Sequence, residues 1–413
     1  MSEALTKMID NDGAGSWPPR SNHARHAWPQ ALRPYQEIYK ELAPLIPNEI
    51  PSLDDDLNKM RIADFRSQFK KKLSQRIDLV EVKRLLEAAD AGRWEIFPRD
   101  VYNAFYCCIA SCRHAYRWAT IPVVKIAQLE TVIELPAELA EPWNYLQSHF
   151  GCASQSGNNT SNILLNFDPS GQHIYKINTG MPSTVTSGEE SFSRIFYDIE
   201  VMALPIYYLM VGATVAFARN DKDECVNCLG TITQQLRPLL NSYYDRLHNE
   251  KIALNVWLSH VQGFFAWGAG YIDDATGEFD KYDGLSGNQV LLFQALDAFL
   301  GIQPYLSQRD KERNVPARQR ALCEVFEKHS FRAKLSEDPK DEVEVRIANE
   351  FTEILKRLRM FRSAHRTRAK HYLSQPAPER LPMTAGKSLL KSDLEHSLQF
   401  LDEFMGRRLT QTV

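Results

Sequence analysis

The sequence lacks the features that mark several specialised classes of protein. Its 413 residues include only seven cysteines, an odd number, which argues against a secreted scaffold held by disulfides. Neither sign of charge dominates, since 49 Lys and Arg face 52 Asp and Glu, so no nucleic-acid partner is expected. The first residues show no apolar segment behind a basic start, so no secretory signal is predicted. These absences favour a cytoplasmic location.

Long apolar runs are also scarce. Residues 201–218 are uncharged, but at about 1.5 Å per residue they span only about 27 Å, and Pro205 interrupts them. The segment therefore predicts a buried core helix, and no membrane partner is expected.

Motifs for nucleotide and metal binding are incomplete. The segment Gly386-Lys387-Ser388 resembles the end of a phosphate-binding loop, but the glycine required five positions earlier is Leu381. Cys225 and Cys228 have the spacing of a zinc or haem-attachment pair, yet no second pair and no following histidine completes either motif. The pair is interpreted as ordinary helix residues.

What is present is a composition of average globular character, with 44% apolar residues. We predict a flexible arm over residues 1–30, a small helical domain over 31–158, a linker with a β-hairpin over 159–188, and a large helical domain over 189–413. Long helical patterns occupy roughly 189–219, 222–269, 287–303 and 341–373. The predicted fold class is all-α.

One histidine lies within the apolar face of the last of these helices. Apolar residues recur at steps of three and four up to Phe361, and His365 follows four positions later, with Arg362 and other cations around it. A single histidine in that position is more often a hydrogen-bonded core residue than a ligand. The pattern would equally suit a haem, with imidazole to iron and cations to the propionates.

Two segments carry a resemblance to a known family. Residues 283–302, which read DGLSGNQVLLFQALDAFLGI, resemble the signature of indoleamine 2,3-dioxygenases without a gap. Residues 358–365, which read LRMFRSAH, look like the proximal-histidine helix and are closest to the form found in monodechloroaminopyrrolnitrin synthase. Weaker similarity covers 115–118, 192–203 and 264–268. The chain thus resembles the haem superfamily that contains both enzymes.

This resemblance implies an all-α fold with haem b between a small and a large domain, and His365 as the proximal metal ligand. It also implies O2 and an indolic or aromatic small molecule as partners, and an electron donor that reduces the haem. The residues implied to contact the cofactor are His365, Ser286, Gly287, Phe361 and Arg362. The residues implied to line the substrate pocket are Tyr116, Phe192, Ser193, Phe196, Val261, Ser286, Gly287, Thr384 and Gly386.

Two departures from the family pattern concern the substrate. Val261 stands where the family has an arginine that grips the substrate carboxylate, so the bidentate clamp is missing. The loop that should close over the substrate ammonium keeps Thr384 and Gly386 but gains Lys387, whose charge would repel a cation. Both changes argue against ordinary cleavage of L-tryptophan.

Three functions remain open at this stage. The first is a haem-dependent oxygenase that acts on an indole or a tryptophan-derived aromatic compound. The second is a haem-dependent rearrangement of a tryptophan derivative, as in pyrrolnitrin biosynthesis. The third is a haem-binding sensor or carrier without turnover.

Overall fold

The computed structural model describes residues 2–10, 20–47, 52–130, 133–267, 270–272, 279–281, 284–336, 339–372 and 394–412. These residues are mostly helical and contain almost no strand, which confirms the predicted all-α class. The helices are α1 (Ser2–Asp10), α2 (Arg33–Leu42), α3 (Asp55–Arg76), α4 (Leu79–Asp90), α5 (Arg99–Trp118), α6 (Lys125–Gln128), α7 (Ala137–Phe150), α8 (Asn159–Asn162), α9 (Ser183–Ala218), α10 (Lys222–Arg246), α11 (Leu254–Val256), α12 (Leu291–Leu300), α13 (Gln308–Asn314), α14 (Ala317–His329), α15 (Glu342–Tyr372) and α16 (Leu394–Gln411). The described strands, β1 (Gly270–Ile272) and β2 (Phe279–Lys281), form one antiparallel pair.

Helix α5 is the centre of the N-terminal half. All its residues from Val101 to Trp118 are buried, and α2, α3, α7 and α8 pack around it. Two helices of this half begin at carboxylate caps: Asp54 accepts two backbone N–H bonds at the start of α3, and Asp78 does the same for α4. Each such cap contributes about 1 kcal/mol to helix stability. The caps thereby stabilise α3, which packs on α5, and α4, which packs on α7.

The C-terminal half is built on the packing of α9 against α10. Helix α15 packs on the other side of α10, while α12 contacts both α9 and α14. Helix α9 is the one described helix that is long and apolar enough, by length and composition, to cross a membrane. In this fold it packs against α1, α10 and α12, and its Glu189 and Glu200 are buried within the protein. The predicted core helix over 201–218 is thus part of α9.

The hairpin predicted in the linker does not form. Asn158 and Ser161 cap each other's backbone and start α8, and residues 164–166 continue as a 3-10 turn. Only Phe167 and His173 form an isolated β-bridge around the turn between them. Two backbone bonds flank this bridge, from Ile174 N–H to the carbonyl of Asn166 and from Asp168 N–H to the carbonyl of Gln172. Beyond it, the Asn166 side chain bonds the backbone N–H and C=O of Tyr175. The predicted strands therefore do not extend past one bridge, because a side chain satisfies the backbone of Tyr175.

Two other expectations need correction. Within the predicted flexible arm, α1 buries Leu5 and Ile9 against the protein, and Trp28 is buried as well. The helix expected over 222–269 ends at Arg246, and a π-helical turn follows at Trp257–Val261. The sequence pattern did not reveal the end of the helix at Arg246, because the irregular segment that follows is also buried, for example at Ile252. Its apolar residues therefore continue the pattern of the helix. The division into domains at residues 158 and 189 stays a prediction.

Two segments approach each other closely at the junction of the halves. The backbone N–H of Leu285 donates to the carbonyl of Phe265 at 3.1 Å. A side chain at Gly284 would place its Cβ 1.9 Å from that same carbonyl oxygen, so only glycine fits there. From α5, Trp118 Nε1 donates to the carbonyls of Phe264 and Ala266. These bonds fix the start of residues 285–290 beside α9.

Candidate functional site

A cavity opens between α9, α10, α15 and the segment 285–290. The centre of a water molecule can move through a volume of about 290 Å³ in this cavity. The empty space between the side chains is larger, because a water molecule also has a radius. Ligand sites in proteins are typically concave and mostly apolar, with a few polar groups, and this wall has that character. The wall consists of Phe192, Ile195, Phe196, Ile199, Tyr243, Leu247, Trp257, Leu285, Ser286, Gly287, Asn288, Val290, Phe293, Tyr305, Phe361, Arg362, His365, Ala369, Tyr372, Phe404, Met405 and Arg408.

His365 presents its imidazole at this wall. Its Nδ1 lies 2.6 Å from the hydroxyl oxygen of Tyr243, and among the described residues Nε2 has no hydrogen-bond partner. Burial lowers the pKa of His365 to about 4, because a charged ring would be poorly solvated there. The side chain is therefore a neutral imidazole at neutral pH. One of its nitrogens is engaged by protein, and the other is available to the cavity.

A stack of aromatic rings supports the imidazole. Phe361, one turn earlier on α15, lies parallel to the His365 ring with centroids 6.0 Å apart. Phe293 from α12 stacks on Phe361 at 4.8 Å, and Tyr243 meets the imidazole edge-on at 5.3 Å. Aromatic contacts of this kind hold ring orientation as well as contributing apolar burial.

The part of the wall supplied by α9 and the π-helical turn is also aromatic. Phe192 packs against Phe196 on the same helix and against Trp257, with ring centroids 5.2 and 4.9 Å apart. The indole of Trp257 donates to the carbonyl of Tyr372 at the end of α15. That bond ties the two sides of the cavity together.

A buried triad of charges lies at one edge of the cavity. Asp297, which is 2% exposed, accepts two bonds from Arg362 at 2.7 and 2.9 Å and one from Arg408. Two guanidinium groups and one carboxylate leave a net charge of +1 in this triad. The Arg408 guanidinium also lies over the ring of Tyr305, whose hydroxyl donates to the carbonyl of Asn288. The triad is thus connected to the segment 285–290.

That segment owes its position to polar bonds from α9. Buried Glu200 accepts the backbone N–H of Leu292 at the start of α12 and the hydroxyl of Tyr207. Ser286 caps the next turn by accepting the N–H of Asn288. A Cβ at Gly287 would lie 3.5 Å from the Phe196 ring, so the glycine leaves space for other atoms there.

The comparison with known protein families agrees with this geometry. The family model described as indoleamine 2,3-dioxygenase matches residues 99–403, about three-quarters of the chain. The chain belongs to the indoleamine 2,3-dioxygenase family. No curated protein matches it. Family membership indicates a haem-dependent dioxygenase that uses O2 and a tryptophan-like or indole-like substrate.

The cavity of this indoleamine 2,3-dioxygenase family member fits a haem by its donor set. A neutral imidazole with an available Nε2 is the ligand type that iron porphyrins take, and aromatic rings surround it. The edge of the same cavity carries Arg362 and Arg408, which match the carboxylates of a porphyrin.

The structure brings together many of the residues that the sequence implied. The cavity wall contains His365, Phe361, Arg362, Phe192, Phe196, Ser286 and Gly287. Tyr116, Ser193 and Val261 do not belong to the described wall: Tyr116 packs on Phe69, and the buried Ser193 hydroxyl has no partner among the described residues. Thr384 and Gly386 lie outside the described residues.

Sequence reasoning missed more than half of the wall, and four missed residues of the site matter most for its chemistry. Tyr243, Trp257 and Arg408 line the cavity, and Asp297 holds its two arginines. Asp297 was within the recognised 283–302 signature, so an acidic residue in an otherwise apolar helix could have indicated it. The other three lie on segments whose approach to the cavity depends on tertiary packing, and no local pattern marks them.

Proposed function

We propose that the protein is a haem b-dependent oxygenase that acts on a neutral or anionic indole or related aromatic compound, and that His365 Nε2 would bind the haem iron. The observation that carries the proposal is the imidazole at the cavity wall with one nitrogen held by Tyr243 and the other available. A cytoplasmic location goes with this proposal. When bound, haem would supply the activation of O2, a reaction that protein side chains alone do not provide.

The protein's own part begins with placing the cofactor. Parallel packing of Phe361 on His365 limits rotation of the imidazole about its side-chain bonds. At the edge of the cavity, the triad of Arg362, Asp297 and Arg408 would bind the propionates through its excess positive charge. Ser286 and Gly287 would allow close approach of the macrocycle, since one carries a small side chain and the other none.

The aromatic wall is suited to an indole. Phe192, Phe196 and Trp257 offer ring faces and edges to a flat apolar substrate, whose binding would follow from burial and ring contacts. They also exclude water from the space where O2 reacts.

The charges of the wall argue for a substrate without a free ammonium group. No described lining residue is a carboxylate, and the cationic ones, Arg362 and Arg408, are at the edge with Asp297. A free ammonium would therefore lose hydration without gaining an ionic partner from the described wall. This supports an indole derivative rather than L-tryptophan itself.

The first experiment is haem reconstitution of the purified protein, followed by visible spectroscopy. We expect a Soret band in the wild type, and a band that His365→Ala weakens or abolishes. The matched control is His173→Ala, which removes a buried histidine that lies outside the described cavity wall. Equal Soret intensity in the two variants would overturn the assignment of His365.

The second experiment identifies the chemistry by product mass. The ferrous protein is mixed with O2 and a panel of indoles, including L-tryptophan, and products are analysed with ¹⁸O2. Incorporation of labelled oxygen supports an oxygenase, whereas a mass-neutral product indicates the rearrangement. A stable oxygenated complex that no aromatic compound alters indicates a sensor or carrier. Tight binding and cleavage of L-tryptophan would contradict the substrate class proposed above.

A further inference from the structure

The hydroxyl of Tyr243 is the described hydrogen-bond partner of His365. Tyr243 Oη lies 2.6 Å from Nδ1, and the two rings meet at an interplanar angle of 77°. Tyr243 is on α10 and His365 on α15, so the bond crosses the interface between two packed helices. The contact therefore depends on how these helices pack and not on local sequence.

The chemistry of imidazole decides the direction of this bond in a metal-bound protein. A neutral imidazole carries one proton, and the nitrogen that binds iron must be the one without it. If Nε2 binds iron, Nδ1 bears the proton and must donate it, and the nearest described acceptor is Tyr243 Oη. An acceptor on the second nitrogen is a common way in which proteins orient and tune a histidine ligand.

The next residue on α10 provides an internal comparison. The hydroxyl of Tyr244 donates to the carbonyl of Phe361 at 2.7 Å, and its ring lies under the guanidinium of Arg368. Tyr244 thus joins α10 to α15 as Tyr243 does, but it bonds to backbone and does not belong to the described cavity wall. Tyr243 thus bonds the side chain of His365, whereas Tyr244 bonds the backbone of the helix that carries His365.

The geometry points to Tyr243 as a positioning residue for the iron ligand: its hydroxyl oxygen accepts the Nδ1–H of His365, which fixes the tautomer with Nε2 available to iron and sets the basicity of the imidazole. This inference rests on the proposed function, because it requires His365 to bind haem. A phenol oxygen is a weaker acceptor than a carboxylate, so it increases the electron donation of imidazole only moderately.

The test compares Tyr243→Phe with Tyr244→Phe in the haem-reconstituted, full-length protein. Both variants remove one hydroxyl and keep the ring, so packing of α10 on α15 is retained in each. We expect Tyr243→Phe to lower the iron–histidine stretching frequency of the ferrous protein in the resonance Raman spectrum, and to shift the ferric/ferrous midpoint potential upwards. Haem transfer to an apo-globin acceptor should be about 10-fold faster.

Tyr244→Phe should keep the wild-type stretching frequency and midpoint potential, even if it unfolds at lower urea concentration. Identical spectra and haem-transfer rates for the two variants would overturn the inference about Tyr243. Failure of the proposed function looks different, because then the wild type would show no Soret band, or His365→Ala would keep it. The two results are therefore distinguishable within one set of samples.

Discussion

Each half of the molecule contains a triad of two arginines and one carboxylate. The two triads differ in what else their arginines contact. In the N-terminal half, Glu130 pairs with Arg66 and Arg117. Remaining donors of these arginines bond backbone carbonyls, including those of Tyr116 and Trp267. In the C-terminal half, Asp297 pairs with Arg362 and Arg408, and both arginines line the cavity.

The buried histidines of the two halves differ in the same way. Both ring nitrogens of His114 face backbone carbonyls, those of Phe264 and Ser156. His365 has one nitrogen at Tyr243 and the other available to the cavity. Burial lowers the pKa of both to about 4. The pKa shift therefore does not separate a structural histidine from a candidate ligand, whereas the partners of the second nitrogen do.

The largest expected effect comes from removing the carboxylate of each triad. Asp297→Ala leaves two buried guanidinium groups without their counter-charge, which should cost about 3–5 kcal/mol of unfolding free energy. Although the positive charge of the site would increase, haem retention should weaken, because Arg362 and Arg408 lose the carboxylate that holds them in place. Glu130→Ala should cost less, since the Glu130 side chain is 34% exposed, and should leave haem retention unchanged.

Urea unfolding and haem titration of both variants measure these effects, with Asp297→Asn as a variant that keeps the volume. Equal haem retention in the Asp297 and Glu130 variants would remove the functional distinction between the triads.

A second comparison replaces one phenylalanine in each half. Phe105 is fully buried between Trp28 and Tyr35, so Phe105→Ala should lower the unfolding free energy by about 3–5 kcal/mol. Phe196 already faces a cavity, so Phe196→Ala removes fewer contacts and should cost about 1–2 kcal/mol. Phe196→Ala should alter the spectral response to indoles, and Phe105→Ala should not. Chemical denaturation and indole titration of both proteins check this, and the reverse order of stability would contradict it.

The third prediction concerns pH and a histidine outside the described cavity wall. Burial lowers the pKa of His173 to about 3, below its ordinary value of 6.5. As pH falls below 6.5 the unfolded chain takes up this proton first, so stability is lost progressively towards pH 3. The loss of unfolding free energy reaches about 3 kcal/mol by pH 4, at about 1.4 kcal/mol per pH unit below 6.5.

His173→Phe keeps a ring beside Phe167 and should flatten the pH dependence of unfolding between pH 6.5 and 4. Unfolding free energies measured across that range in wild type and variant provide the test. An unchanged slope would mean that His173 is not buried as a neutral ring.

The smallest effect on stability is expected at a glycine of the cavity. A Cβ at Gly287 would contact the Phe196 ring at an ordinary distance of 3.5 Å, so Gly287→Ala should change stability by less than about 0.5 kcal/mol. It should nevertheless weaken indole binding, because the methyl group occupies cavity space. The control is Gly92→Ala, where φ of +75° makes the substitution strained by about 1 kcal/mol without effect on ligands. Thermal unfolding and indole titration distinguish the two variants.

Much of the fold could be predicted because its signals are local. The helical periodicity that ends in Phe361 and His365 corresponds to α15, and the all-α class followed from such patterns. The predicted linker strands are limited to one β-bridge, because Asn158 and Ser161 start a helix before it and the Asn166 side chain bonds the backbone of Tyr175 after it. Such side-chain hydrogen bonds do not change the alternation of apolar residues from which the strands were predicted. The alternation therefore cannot show whether side chains or a second strand bond the backbone.

The site was predictable only in part for a related reason. Arg362 and His365 lie on one helix, and their spacing is readable. Their partners Asp297 and Tyr243 come from α12 and α10, many residues earlier in the chain. The local sequence does not predict that α10, α12 and α15 pack together.

The amino-acid sequence alone determined that the chain forms amphipathic helices, that one of them carries an imidazole among apolar residues, and that two segments match a haem family. Tertiary structure decided which nitrogen of that imidazole is engaged, which arginines share one carboxylate, and which aromatic rings enclose the cavity. The physical reason is distance along the chain: helix formation depends on neighbours three and four residues apart. The hydrogen bonds across packed helices join residues much farther apart, from 65 positions for Asp297 and Arg362 to 122 for Tyr243 and His365.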